Sequence, residues 1–180
     1  MKTDHQLALA LKTMMAEKPL DSISVLALTK KCHVDRHTFY YYFHDIYDLL
    51  SLVFLDEKIK GIQDTYDYTS LLTKIYEYYE NNMKFIDATI NSAGKDLFQE
   101  FIYNIIYQAS LRFVNQSING KKIDLNKKKS IARFYASAYS NSTIYYLANY
   151  KNKSLKGLLN SFAFVDVNEI DKAVDYYIDN

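Results

Sequence analysis

The densest run of groups suited to binding another molecule is Arg36-His37-Thr38-Phe39-Tyr40-Tyr41-Tyr42-Phe43. It sets a guanidinium, an imidazole and four hydroxyls within eight residues. Arginine can bond guanine through two parallel N–H donors, worth ~1–3 kcal/mol of discrimination between bases. Hydroxyls suit phosphate oxygens, contacts that position a protein on a duplex without specifying its sequence. On that chemistry Arg36 and His37 are candidate base readers, and Thr38, Tyr40 and Tyr42 candidate phosphate contacts. Tyr41 suits a thymine methyl or the backbone, and Lys30, Lys31 and His44 add electrostatic contacts. Ser24, which opens the helix before this one, is counted with the DNA-binding candidates. Phe39 and Phe43 belong to the core.

Two short helices joined by a tight turn are needed to position these groups. Ser24 is a good N-cap for a helix from Val25 to about Cys32. His33 and Val34 form the turn. Asp35 caps the next helix, from Arg36 to about Tyr42, and its carboxylate complements the helix dipole. This spacing is that of a helix-turn-helix, whose second helix offers its first-turn side chains to the major groove. Val25, Leu28, Cys32, Val34, Phe39 and Phe43 supply its apolar core, and Thr29 falls where the two helices cross closely. A helix over 4–17 precedes the pair, with Leu7, Ala10, Leu11, Met14 and Met15 on one stripe, and Pro19 ends it. The competing reading, a helical hairpin inside an ordinary bundle, leaves Arg36 and the tyrosines exposed for no purpose.

Composition bounds the rest. One proline and four glycines in 180 residues leave few helix breakers, and the apolar periodicities are long, so the expected class is all-α. Net charge is only +1, but residues 1–44 carry six Lys or Arg against four Asp or Glu, plus all four histidines. No apolar run approaches the ~20 residues of a membrane span, and Met1–Gln6 lack a signal-peptide apolar core. Cys32, the single cysteine, cannot form an internal disulfide. A cytoplasmic protein with no membrane partner is expected. Eighteen tyrosines without a tryptophan are accounted for as a whole by a coding bias toward A and T.

Further helices are predicted over 46–62 (capped by Asp45), 68–82, 83–91, 95–118, 126–150, 155–163 and 167–178. Leu49, Leu50, Val53, Phe54 and Ile59 line the inner face of the first of these. Ser92-Ala93-Gly94 and Asn119-Gly120 are breaks. Lysines 121, 122, 127, 128 and 129 read as a solvated connection, or else as a docking surface for an acidic partner.

Residues 23–50 resemble the TetR family of bacterial transcription regulators. The resemblance rests on Ile23-Ser24-Val25, Leu28-Thr29, Cys32-His33-Val34-Asp35, Thr38-Phe39-Tyr40-Tyr41-Tyr42-Phe43 and Tyr47-Asp48-Leu49-Leu50. Glu17-Lys18-Pro19 and Asp21-x-Ile23 are similar to one branch of that family, that of the dihydroxyacetone-kinase operon activators. Three positions depart from the pattern. His33 stands in place of the turn glycine, so a residue with a Cβ is expected at an unusual φ. Ile46 replaces a phosphate-gripping lysine, and Leu26 occupies a position that often helps to read DNA.

The resemblance implies a three-helix DNA-binding domain over 1–45 and a helical-bundle effector and dimerisation domain over 46–180. It implies double-stranded DNA and a second copy of the chain as partners, with a small-molecule or protein effector. It also implies that the last long helices of two subunits form a four-helix bundle. Ala136, Ser137, Ser140 and Tyr145 suit that interface, although small residues at 131–150 would equally serve close packing within one chain. Tyr76, Tyr79, Tyr103, Tyr107, Tyr135 and Tyr139, with Arg112, are candidates for an effector pocket, or are core tyrosines with satisfied hydroxyls.

No catalytic constellation, phosphate-cradling glycine loop or metal-ligand motif is present, so no enzyme, cofactor or metal is expected. The rival function is a protein-interaction regulator with weak or lost DNA binding that acts through a protein coactivator. Apolar Leu26 and Ile46 favour that rival.

Overall fold

The computed structural model describes residues 2–118, 120, 122–166 and 168–179. Ten α-helices and no strand occur among the described residues. They are α1 Thr3–Met15, α2 Val25–Lys31, α3 Arg36–Tyr42, α4 Ile46–Asp56, α5 Tyr68–Asn81, α6 Met83–Ile90, α7 Lys95–Ser117, α8 Leu125–Asn149, α9 Leu155–Asn160 and α10 Glu169–Asp179. Single 3-10 turns at Leu20–Ser22 and Ile62–Asp64 sit in two of the connections. The chain forms two compact units, residues 1–58 with 79–101 and residues 59–78 with 102–180. Helices α5 and α7 each run from one unit into the other.

In the first unit the helix starts are fixed by short polar side chains. Ser24 Oγ accepts the amide of Ala27 (3.1 Å), and Asp35 Oδ1 accepts that of Thr38 (2.7 Å). Asp45 Oδ1 takes two amides, Tyr47 and Asp48, at 2.8 and 2.9 Å. Each bond satisfies an amide that the first helical turn leaves without a partner. Leu7, Leu11 and Met15 of α1, Leu28 of α2, Phe39 of α3 and Leu49 and Leu50 of α4 form the core. Phe54 extends it, with ring centroids 5.6, 5.7 and 5.5 Å from Phe85, Phe98 and Phe101. Gly94, before α7, is required by close approach: a Cβ there would stand 2.6 Å from Leu50 Cδ2.

Helix α4 ends at Asp56, well before the Ile62 expected from its periodicity. Glu57 is extended (φ −66°, ψ 138°), and its carboxylate receives Lys12 Nζ at 2.6 Å. His5 Nδ1 lies 2.6 Å from Asp56. The Lys12–Glu57 ion pair and the His5–Asp56 contact thus tie the end of α4 to α1, and left-handed Gly61 (φ 75°) turns the chain into the second unit. Ile59, expected on α4's inner face, is buried in that second unit.

In the second unit Asp67 Oδ1 accepts the amide of Ser70 at 2.7 Å at the start of α5, Asp124 caps α8 and Ser154 caps α9. Helix α9 stops at Asn160 and continues as turns through 164, shorter than the expected 155–163. Of the residues read as a break and a lysine run, Asn119 and Lys121 lie outside the described residues, as does Val167 at the expected start of α10. Gly120 has φ 82°.

Candidate functional site

The turn between α2 and α3 is built by backbone bonds around a left-handed residue. The amide of His33 donates to Lys30 O (3.2 Å) and that of Val34 to Thr29 O (3.0 Å). With His33 at φ 55°, this is a Schellman closure of α2. Histidine carries the positive φ that glycine ordinarily supplies. Thr29 is buried, as expected of a small side chain at the crossing of α2 and α3.

Phe39 and Phe43 anchor one side of α3 in the core and leave the other outside. Arg36, His37, Tyr40, Tyr41 and Tyr42 are exposed, Tyr41 at 81%. Tyr41 and Tyr42 meet edge to face at 4.9 Å, and Tyr40 sits edge-on to Phe39 at 5.3 Å, so the exposed rings support one another. Thr38 is half-buried, and its hydroxyl donates to Asp35 Oδ1 at 3.1 Å. Ser24 is exposed, with its Oγ engaged as a cap, and Lys30 and Lys31 are exposed at the end of α2. His44 is exposed, its amide 3.0 Å and its Nδ1 3.3 Å from Asp48 Oδ2. Hydrogen bonds from His44 hold the Asp48 carboxyl below its ordinary range, and the Thr38 amide does the same for Asp35.

Leu26 is 40% exposed. Tyr47 links the start of α4 to the α1–α2 connection, its hydroxyl donating to Asp21 at 3.1 Å, and burial then Asp21 push the phenol up. No local sequence signal marks that link, which spans 26 residues.

The tyrosines grouped by sequence do not converge on one point. Tyr79 belongs to the first unit, and its hydroxyl meets the Asp87 carboxylate at 3.2 and 3.4 Å. Tyr76 is buried in the second unit. Tyr103 and Tyr107 stack on each other along α7 at 6.1 Å. Arg112 donates to Ile62 O (2.8 Å) and Thr65 Oγ1 (3.1 Å), which gives it a structural place under the loop before α5. Its Nε is buried without a hydrogen-bond partner, and burial lowers its pKa.

Tyr135 and Tyr139 do come together, around Glu169. Tyr139 donates to Glu169 Oε1 at 2.6 Å and Tyr135 to Glu169 O at 3.0 Å. Tyr68 stacks on Tyr139 at 3.9 Å, and its hydroxyl lies 2.7 Å from Ser110 Oγ. Burial pushes the Tyr68, Tyr135 and Tyr139 phenols up; for Tyr139 the Glu169 bond adds to it. Burial likewise raises the Glu169 carboxyl, against the Tyr139 bond. Sequence reasoning missed Tyr68, Ser110 and Glu169, because Glu169 reaches the tyrosines across 30 and 34 residues with no shared periodicity.

On α8, Ala136 and Ser140 are packed inside the chain's own core. The exposed stripe runs through Phe134, Ser137, Ala138, Asn141, Ser142 and Tyr145, with Phe134 68% and Tyr145 64% exposed.

Residues 66–163, more than half of the chain, match the TetR-type transcriptional regulator C-terminal region. The chain belongs to the TetR family of transcription regulators. The match runs from the end of the loop before α5 to the turns after α9 and includes Tyr68, Tyr135 and Tyr139. Among solved structures, this TetR-family chain is similar in fold to the dihydroxyacetone kinase operon activator DhaS. The likeness has a TM-score of 0.64 at 21% identity and covers 98% of each chain. No curated protein matches by sequence. A TetR-family protein is a regulator and not an enzyme. Among the described residues no helix is long and apolar enough to cross a membrane, and no His, Cys, Asp or Glu group is arranged to hold a metal.

Proposed function

We propose that this TetR-family regulator is cytoplasmic and binds a pseudo-palindromic DNA operator as a homodimer. Residues 1–45 act as the reading head and 46–180 as the effector and dimerisation domain. The observation that carries the reading is the exposed face of α3. Arg36 and His37 stand in its first turn, and Tyr40, Tyr41 and Tyr42 follow, all outside the core. Arg36 and His37 read bases, while Thr38, Tyr40 and Tyr42 contact phosphates, with Ser24, the cap of α2, beside them. Lys30 and His44 add positive or hydrogen-bonding groups at the margins. A two-fold dimer sets two such helices about one turn of DNA apart.

The exposed stripe of α8 is the proposed dimer face, with Ser137 and Tyr145 on it and Phe134 beside them. An effector in the second unit acts on the head because α5 and α7 are continuous from one unit to the other. To shift the balance of DNA-binding states, it must bind those states unequally. Selection from random duplexes tests the reading. Enrichment of a two-fold-related sequence is expected, and no enrichment at low salt refutes it. Arg36→Ala is expected to relax the preference, whereas Tyr42→Phe weakens binding with the preference unchanged.

The exposure of Leu26 favours a second reading, in which DNA binding is weak and a protein coactivator is the main partner. DNA binding that appears only when cell extract is added would select it.

A further inference from the structure

We propose that DNA binding by this chain is linked to proton uptake: His33, His37 and His44 become charged at the DNA surface, so affinity rises as pH falls. All four histidines of the chain lie in its first 44 residues, and three of them surround α3. His33 is in the turn before that helix, His37 in its first turn and His44 two residues past its end. All three are exposed, His44 with 98% of its side chain. His33 holds φ 55° where glycine ordinarily stands, and its ring bonds nothing among the described residues, so the fold itself has no use for an imidazole there.

Charge gives these histidines their weight. Residues 30–48 carry Lys30, Lys31 and Arg36 against Asp35, Asp45 and Asp48, so this segment has no net charge while its imidazoles are neutral. Duplex DNA carries one negative charge per ~1.7 Å of its axis and attracts a neutral segment weakly. Protonation of the three rings gives each head three further positive charges. Imidazole changes charge between about pH 5 and 8, and a phosphate backbone close by favours the charged form. Binding and protonation therefore strengthen each other by reciprocal linkage.

The ionisable neighbours leave the rings free to respond. Asp48 Oδ2 is 3.3 Å from His44 Nδ1, an exposed pair that solvent screens. Asp35, next to Arg36 and His37, is engaged by the Thr38 amide and hydroxyl, Asp45 caps α4, and Asp21 receives the Tyr47 hydroxyl. On α1, His5 and Lys12 pair with Asp56 and Glu57 at the end of α4. Lys30, Lys31, Arg36 and the positive end of the α3 dipole, about half a charge, oppose protonation of His33 and His37 in the free chain. Phosphates offset that repulsion in the complex, so protons are taken up on binding. The proposal deepens the DNA-binding reading and rests on it.

Anisotropy of a labelled random-sequence duplex, titrated with the full chain at pH 6 and pH 8 over a series of salt concentrations, tests it. An unselected duplex suffices, because the phosphate contribution is independent of sequence. Binding at least tenfold tighter is expected at pH 6. The slope of log K on log salt should steepen from near −5, for about six cations on two heads, toward about −11 for twelve. Calorimetry at pH 7 in two buffers of different ionisation enthalpy should show net proton uptake. His33→Asn with His44→Asn, asparagine being tolerated in the left-handed region, should cut the pH 6 to pH 8 affinity ratio at least threefold. Adding His37→Asn should abolish it, with circular dichroism at both pH values reporting the fold. Equal affinity and slope at the two pH values overturn the proposal and leave the DNA-binding reading standing, whereas no duplex binding at either pH overturns both. An undiminished ratio in the triple variant places the protons elsewhere and also overturns it. If the triple variant does not fold, the double variant carries the comparison, and the wild-type ratio in it is the refuting result.

Discussion

Replacing His33 by glycine should stabilise the protein, an unusual direction for a substitution in a turn. His33 holds φ 55° to close α2, with its own amide on Lys30 O and the next on Thr29 O. For a residue with a Cβ the left-handed region costs ~1–2 kcal/mol. The side chain is exposed and forms no hydrogen bond within the described structure, so its removal gives up little. Glycine returns part of the gain, because it loses more chain entropy on folding, by roughly 0.5–1 kcal/mol. The net expectation for His33→Gly is a gain of about 0.5–1 kcal/mol. In a chain of this size that corresponds to about 1–4 °C in Tm. His33→Val, which puts a β-branched side chain at the same φ, should move the other way by about 1 kcal/mol or more. Urea unfolding followed by circular dichroism reads both, as a shifted midpoint at constant slope. A glycine variant no more stable than wild type, or a valine variant equal to it, refutes the claim that φ 55° is strained.

The Tyr146 hydroxyl accepts the Ser154 amide at 3.0 Å and donates to Ser154 O at 3.1 Å, and a Cβ on Gly157 would fall 2.2 Å from it. Gly157→Ala should therefore cost about 1–3 kcal/mol alone but much less in a Tyr146→Phe background; additive losses in denaturant melts would exclude the clash as the cause. Burial raises the Glu169 carboxyl above the ordinary 4.5 in the folded chain, so its ionisation opposes folding at neutral pH. Glu169→Gln should be more stable than wild type at pH 8, with the difference shrinking as pH falls through the raised value toward 4.5; a difference that grows on acidification contradicts this. On the proposed DNA reading, Arg36, Lys30 and Lys31 supply the exposed cations of each head around α3, so two heads release about six counterions, a slope of log K on log salt near −5. Tyr42→Phe should weaken binding in anisotropy titrations with that slope unchanged, and a changed slope would show that the tyrosine is not a neutral phosphate contact.

Much of the head was legible because its determinants are local. Ser24, Asp35 and Asp45 cap the helices that follow them, since a side chain reaching an amide two or three residues on depends on nothing distant. The departure from glycine at His33 announced the left-handed turn. The end of α4 was not legible, because it depends on Lys12, 45 residues away, and on where the chain leaves the first unit. The tyrosines were not sorted for the same reason. Tyr79 goes to Asp87 in one unit, while Tyr135 and Tyr139 go to Glu169 in the other. On α8, alternating small and aromatic residues carry little periodicity, so Ala136 and Ser140 could not be told as inward from Ser137 and Tyr145 as outward.

The tyrosine count fits a coding bias, but placement separates two kinds of tyrosine. Buried or half-buried hydroxyls are bonded inside the fold: Tyr68 to Ser110, Tyr79 to Asp87, Tyr135 and Tyr139 to Glu169, Tyr146 to Ser154. A buried hydroxyl without a partner would cost ~1–3 kcal/mol, so folding alone accounts for those pairings. Tyr40, Tyr41 and Tyr42 are different. They are consecutive and exposed, and their hydroxyls have no partner among the described residues. Water on such a hydroxyl exchanges for a phosphate oxygen at little net loss, and the ring edges already fixed against one another need little ordering on contact. Stability does not require three large aromatic side chains outside the core. Tyr40 and Tyr41 fall on the same helix face as Arg36 and His37, with Tyr42 at its flank, and that placement is the strongest physical argument for the proposed DNA-contacting role of α3.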